Sequence, residues 1–236
     1  MNHSALIVNL VGSALLCTAL LASAAVPERA AAGQSLDCSD AYGGKSATCR
    51  RVPCDGPYAK LPGTWRGQFT AYVREKSMPA RPLFRPYEGE VRYDGCLINS
   101  DNGEFLVVGH RHDIYPAYQG LPAKEDSGLL IIGQRADGAP FLRVVNHQGP
   151  VDEFALTYRN TAADLSIWTR QVPAAADHPP MTVTTIDEHD PTSDNPLQRA
   201  VVVTLTVGPQ DQPIWSGVIV RGTHTRNERA GAAVAR

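Results

Sequence analysis

The chain has 236 residues, 43% of them hydrophobic and 19% charged, a composition typical of a folded globular protein rather than a disordered one. The formal net charge of −2 and the sequence isoelectric point of about 6.4 give no general attraction to nucleic acid or to an acidic membrane. Lysine and arginine are scattered along the chain, so the sequence does not predict nucleic-acid binding.

Residues 1–25 have the pattern of a signal peptide. Ala5 to Leu21 is almost wholly apolar, and Ala22-Ser23-Ala24 supplies the small residues of a cleavage site, although Met1 to Ser4 lacks the usual positive charge. An uncleaved N-terminal anchor is the alternative, since the apolar run is nearly long enough to span a bilayer. We favour cleavage after Ala24 or Ala25, which predicts a secreted or periplasmic protein with no membrane span in the mature chain.

Four cysteines remain after removal of the signal peptide. An even number of cysteines in an exported chain predicts two disulfides, with three connectivities left open. No Cys-x-x-Cys or paired-histidine spacing indicates a metal site. We expect Cys96 to link the N-terminal segment to the main domain, because the other three cysteines all precede residue 61. The four are Cys38, Cys49, Cys54 and Cys96.

Residues 26–60 form the cysteine-bearing segment, residues 61–226 the main domain, and residues 227–236 a tail expected to be flexible. Glu75 to Pro86 contains three prolines and is expected to be a loop. Asp94-Gly95 predicts a hairpin between Tyr87–Tyr93 and Cys96–Asn99. The other predicted strands are Trp65–Val73, Glu104–His112, Gly128–Arg135, Pro140–His147, Phe154–Arg159, Leu165–Val172, Met181–Asp187, Arg199–Val207 and Pro213–Arg221.

About eleven short strands with turns between many of them, and no helix pattern, predict an all-β domain. An antiparallel meander that closes into a β-barrel buries one face and leaves no free edges. A two-sheet β-sandwich is the alternative, because hairpins occur in open and closed sheets alike.

Gly63-Thr64-Trp65 opens the first strand of the main domain. Here the chain resembles the lipocalin-like (calycin) barrels, whose first strand begins with Gly-x-Trp and whose Trp packs across the closed end. In that family an Arg of the last strand lies over the Trp ring, and the resemblance assigns this role to Arg221, in a cation–π contact of about 0.5–2 kcal/mol. The alternative is that Trp65 is a core anchor in some other β fold.

His110 and His112 are two residues apart on a predicted strand and therefore share one face. If that face lines a barrel, the two imidazoles bind a polar ligand group or a metal, with His147 or Asp113 as a third ligand. The alternative is that both histidines are solvated at the barrel rim. We favour this alternative over a metal site, so no metal is predicted.

The following loop, from Asp113 to Pro122, is long for a hairpin and carries Tyr115 and Tyr118. Tyrosine suits ligand contact because it combines a flat apolar ring with a polar tip. Long loops of this kind often cover binding sites, so we expect both tyrosines to contact a ligand. A surface loop that caps the barrel edge is the alternative. A second loop, from Asp187 to Asn195, is rich in oxygen ligands but lacks the spacing of a calcium loop.

Together these patterns predict an exported β-barrel that binds a small, largely apolar molecule, with His110, His112, Tyr115 and Tyr118 as ligand contacts. A barrel enzyme of isomerase, cyclase or lyase type is the second hypothesis, and a structural or protein-interaction domain with a filled core is the third. No Gly-x-Ser-x-Gly or His-Glu-x-x-His motif is present, so no catalytic residue and no cofactor is predicted.

Overall fold

The structure, a computed structural model, describes residues 35–73, 83–146, 151–162, 164–176, 178–189 and 197–227. These residues form twelve strands and two short 3₁₀ helices. The expected signal peptide, His147 and residues 228–236 of the expected C-terminal tail lie outside the described residues.

All neighbouring strands in the sheet are antiparallel. The 3₁₀ helices are Ser39–Tyr42 and Gly56–Tyr58. The strands are β1 (Ser35–Asp37), β2 (Thr48–Val52), β3 (Gly63–Val73), β4 (Leu83–Asn99), β5 (Phe105–Tyr115), β6 (Lys124–Gln134), β7 (Pro140–Asn146), β8 (Val151–Asn160), β9 (Leu165–Val172), β10 (Met181–His189), β11 (Gln198–Val207) and β12 (Trp215–Asn227).

Ten of these strands close into a barrel. From β4 to β12 each strand pairs with the next, β12 pairs with β3, and β3 pairs with β4 to complete the ring. Strands β1 and β2 extend the sheet outward from β4, so the cysteine-bearing segment contributes two strands that its sequence pattern did not predict. The predicted all-β antiparallel barrel is confirmed, and the two-sheet sandwich is wrong.

The hairpin predicted at Asp94-Gly95 is wrong, because both of its arms belong to the single strand β4. The pairing of β4 with β5 shifts register between Tyr93 and Cys96, so the dipeptide forms a bulge in a continuous strand. On its other side β4 pairs first with β3 and then with β2, and the bulge lies at the change of partner.

Two predicted loops are shorter than the sequence indicated. Strand β4 begins at Leu83 and includes Pro86. Its pairing with β5 begins only at Glu88, two residues after this proline. A proline is tolerated there because one side of the strand is still unpaired. Similarly, β5 continues through Tyr115, so the loop that follows it is shorter than expected.

The N-terminal segment packs on the outer face of β5, β6 and β7. The disulfide Cys38–Cys49 closes this segment on itself, and both cysteines are buried. They pack with side chains from the three strands, namely Leu106, Ile131, Phe141 and Val145. A second disulfide, Cys54–Cys96, joins the segment to β4, so the expectation for Cys96 is confirmed.

Large side chains fill the middle of the barrel. One buried cluster includes residues of β3 and of β7 to β12, among them Leu142, Phe154, Trp168, Val183 and Leu205. Inward-facing glycines admit further rings: a Cβ atom at Gly89 would lie 2.9 Å from the ring of Phe69. The described interior is therefore divided between two ends, which we name after Trp65 and Tyr115.

Candidate ligand-binding site

The N-terminal segment closes the Trp65 end of the barrel. Its second 3₁₀ helix, Gly56–Tyr58, is preceded by the Cys54–Cys96 disulfide and followed by Leu61, whose carbonyl accepts a hydrogen bond of 2.9 Å from Trp65 Nε1. Trp65 itself is only 4% exposed. The closure thus depends on residues that precede the first barrel strand.

A cavity of about 270 Å³ lies under this closure. It extends from the 3₁₀ helix to the turn between β8 and β9 and to the adjoining ends of β10 and β11. This volume is slightly below the range of about 300–1,000 Å³ that is usual for small-molecule sites. Its apolar walls are Tyr58, Leu61, Trp65, Ile132, Leu165, Trp168 and Leu197, and its polar walls include Ser166, Asp164, Asp187 and Arg199.

Arg199 is the central polar group of this cavity. Its Nε donates to Asp187 Oδ1 and its Nη1 to Asp164 Oδ2, each at 2.6 Å. Its Nη2 donates to the backbone carbonyls of Asp164 and Asp187. Burial opposes the charge, but the two carboxylates outweigh it and raise the pKa of the Arg199 guanidinium. The guanidinium is therefore fixed in position and permanently charged.

His224, and not Arg221, lies against Trp65. The His224 and Trp65 ring centroids are 5.2 Å apart. Arg221 pairs with Thr70, five residues further along β3, and is exposed on the outer face, so the contact implied by the family resemblance is not made. The reason is that β12 continues to Asn227, well beyond the predicted end at Arg221.

The imidazole of His224 is close to the charged groups of the cavity. Its Nε2 atom is buried and has no hydrogen-bond partner among the described residues. Burial lowers the pKa of His224, and the nearby Asp187 opposes this effect only in part. His224 is therefore neutral near physiological pH.

The Tyr115 end contains three rings in a stack. The ring centroids of Phe69 and Tyr87 are 5.2 Å apart, and those of Tyr87 and Tyr115 are 4.6 Å apart. Burial raises the pKa of both tyrosines, so both hydroxyls stay protonated. Arg85 donates to the carbonyls of Tyr115 and Pro116 and holds the loop that follows β5.

A charged network lies beside this stack. Arg111 bonds to Asp113, to Asp126 at 3.1 Å and to Asn146 at 3.0 Å. Burial raises the pKa of the Asp113 carboxyl, and Arg111 counteracts this effect in part. Because every charged member has a partner, the network is well suited to stabilising the barrel wall.

The predicted ligand contacts do not come together. His110 and His112 share a face as expected, but their side chains are 57% and 46% exposed on the outside of the barrel, near Asp94 and Glu125 respectively. Tyr115 lies inside, in the ring stack. No group of three potential metal ligands is present among the described residues.

Tyr118 belongs to a short turn after β5. Its backbone forms paired hydrogen bonds with Leu121, and its hydroxyl accepts a bond of 3.1 Å from Gln119. The ligand-binding roles of Tyr118, Tyr115, His110 and His112 stay predictions.

The cavity residues that sequence reasoning missed are Arg199 and Trp168, together with Asp187, which was placed where a strand meets an acidic loop. His224, which packs on Trp65, was missed as well. Asp187 lies in β10 and Arg199 in β11, as neighbours on one face of two paired strands. A signal was present in the opposite charges on consecutive strands, since such pairs tend to form across a sheet. His224 lay beyond the predicted end of the last strand.

Comparison of the chain with protein-family models and with curated proteins found no match. The ten-stranded closed barrel is compatible with the lipocalin-like resemblance, and membership of that superfamily stays a hypothesis. Among the described residues, no helix is both long and apolar enough to cross a membrane.

Proposed function

We propose that the protein is an exported β-barrel that binds one small, largely apolar molecule in the cavity at the Trp65 end. The observation that carries this proposal is the cavity of about 270 Å³ walled by Trp65 and Trp168. Indole rings offer large apolar surfaces to a ligand. Burial of about 200 Å² of apolar ligand surface would contribute about 5 kcal/mol before the entropic costs of binding. The two disulfides support folding in an oxidising compartment.

A cavity-filling substitution tests this proposal. Ser166 lines the cavity on β9, whereas Ser127 is exposed on β6. We expect saturable binding of the neutral fluorescent probe N-phenyl-1-naphthylamine, which Ser166→Phe weakens by about tenfold or more because the new ring occupies the cavity. The matched variant Ser127→Phe should bind the probe like the unmodified chain.

Equal probe binding by both variants would place the site elsewhere, and no saturable binding at all would favour the filled-core hypothesis. The same titration tests the sequence-based contacts. A weaker signal in Tyr115→Ala or His112→Ala would support a site that includes those residues.

A barrel enzyme is the second candidate function, and His224 is the observation that favours it. A buried imidazole with a lowered pKa is neutral and thus able to accept a proton. If His224 contacts the ligand, its NMR titration should shift when the probe is bound. A titration that does not change on binding would remove the enzyme hypothesis.

A further inference from the structure

Residues 53–59, which we call the lid, border the cavity and are attached to the barrel at few points. The preceding strand β2 ends at Val52, where it still pairs with β4. After the lid, the carbonyls of Lys60 and Leu61 accept hydrogen bonds from side chains of the barrel. Between these two anchors, no hydrogen bond among the described residues joins the lid to the barrel. The covalent link of the lid to the barrel is the disulfide that Cys54 forms with β4.

The lid is internally ordered, so it can move as one unit. The backbone amides of Tyr58 and Ala59 donate to carbonyls of the preceding turn, each at 3.3 Å. Tyr58 is the main packing contact of the lid, because its side chain is buried and its ring centroid lies 5.0 Å from that of Phe105. One buried ring is a small contact compared with the pairing of two strands. Without the disulfide, the lid would therefore open at a low cost in free energy.

A groove of about 680 Å³ borders the same lid. Phe105 lines the groove and Trp65 lines the cavity, and the ring of Tyr58 packs in one cluster with both. Four residues line both spaces, namely Gly56, Pro57, Tyr58 and Arg159. The lid thus separates the cavity from the groove. The groove gives the ring of Tyr58 room to move outward without displacement of a barrel strand, and this movement would join the two spaces.

The two disulfides differ in their exposure to solvent. Cys38 and Cys49 are both buried, and so is Cys96. Cys54 is partly exposed. A soluble thiol should therefore reach the Cys54–Cys96 disulfide, through Cys54, more readily than the other disulfide. The disulfide that is open to reduction is the one that attaches the lid.

We propose that the Cys54–Cys96 disulfide is a redox switch for the cavity, which keeps the lid closed when intact and lets it open when reduced. A dithiol supplies the electrons. One of its thiolates attacks the Cys54 sulfur, the S–S bond breaks, and Cys96 leaves as a thiolate that takes up a proton. The second thiol of the reagent then displaces Cys54, so that two electrons and two protons have passed to the cysteines and the reagent has become a cyclic disulfide.

Reduction would thus release the ligand that the oxidised protein retains. This inference rests on the proposed function, because it concerns how the ligand of the same cavity enters and leaves.

Release of N-phenyl-1-naphthylamine before and after mild treatment with dithiothreitol tests the inference. Peptide mapping should show that Cys54–Cys96 is reduced while Cys38–Cys49 is intact. In stopped-flow displacement we expect the dissociation rate of the dye to rise about tenfold or more, because the lid has lost its covalent attachment. Reoxidation should restore the slow rate.

Variants separate the switch from a general loss of stability. Cys54→Ser combined with Cys96→Ser should release the dye rapidly with or without dithiothreitol. The matched control, Cys38→Ala combined with Cys49→Ala, removes the other disulfide and should release the dye slowly until the reagent is added. Hydrogen exchange on the unmodified chain gives a second measurement if a variant does not fold. Reduction should speed exchange in the lid and leave β5 to β7 unchanged.

Equal rates of dye release from the oxidised and reduced chains would overturn the inference and leave the proposed function intact. Earlier reduction of Cys38–Cys49, or loss of the whole β-sheet circular dichroism signal on reduction of Cys54–Cys96, would also overturn it. Dye binding that appears only after reduction would support it, because the closed lid then excludes the dye. If the dye binds in neither state, the proposed function fails, and hydrogen exchange alone decides whether the disulfide holds the lid.

Discussion

Arg143 provides the sharpest test of how the N-terminal segment is held to the barrel. Its side chain is only 6% exposed, and its guanidinium bonds to Glu153 at 2.8 Å and to the carbonyl of Ala41 at 3.3 Å. It also approaches Glu104, which accepts a hydrogen bond from the hydroxyl of Tyr42 in the segment. Because Arg143→Met leaves the buried Glu104 carboxylate with only the half-exposed Arg135 as a cationic partner, the variant should cost about 2–3 kcal/mol of the free energy of unfolding.

Arg135→Met is the matched control. Arg135 bonds to the same two carboxylates, Glu104 and Glu153, but its side chain is 44% exposed. Removal of a solvent-exposed partner should cost about 1 kcal/mol or less. Methionine keeps the apolar stem in both variants, so the comparison isolates the effect of a buried charge.

The assay is urea denaturation followed by tryptophan fluorescence, together with limited proteolysis. We expect Arg143→Met to lower the midpoint and to expose residues 35–60 to cleavage, while Arg135→Met behaves like the unmodified chain. If the two variants differ by less than about 1 kcal/mol, burial does not determine the contribution of these ion pairs.

Three further predictions concern the barrel itself. The pKa of His224 lies below its usual value of 6.5 in the folded state, so the unfolded chain binds the proton more readily and stability falls on acidification below that value. Thermal denaturation of His224→Gln should show less loss between neutral pH and about pH 5 than the unmodified chain, and an unchanged slope would refute this. Replacement of both Cys54 and Cys96 by Ser should cost about 4 kcal/mol, since the disulfide spans 42 residues of sequence. A chemical denaturation midpoint that did not move would mean that the N-terminal segment is held without it. Gly89→Ala should cost about 1–3 kcal/mol, because the new Cβ would lie 2.9 Å from the ring of Phe69. An equally stable Gly89→Ala variant would show that the ring has room to move.

The strands could be predicted because the alternation of side chains is a local property. Leu165–Val172 was predicted with the observed bounds, and most other strands differ by a few residues at their ends. Asp94-Gly95 was misassigned because the same dipeptide fits a tight turn and a bulge. The choice between them depends on β5, which spans both sides of the dipeptide and is not part of the local pattern.

The candidate site was harder to predict because alternation does not say which face of a strand is inside the barrel. On β5, Leu106 and Val108 are apolar on the same face as His110 and His112, which suggested an inward face. In the structure that face is outside, and Leu106 and Val108 are covered by the disulfide-bonded segment around Cys38. An outer face covered by another part of the chain has the same apolar pattern as a true interior.

The register between β12 and β3 determines which side chain contacts Trp65. Five residues of β-strand span about 17 Å, so Arg221 cannot reach the ring that the family resemblance assigned to it. The ring is instead in contact with His224, which is neutral near physiological pH. The residue of β12 that pairs with Trp65 is Arg226, and its Nη1 donates to the carbonyl of Lys60 at 2.8 Å. The side chains that surround Trp65 therefore follow from the register in which β12 pairs with the start of β3.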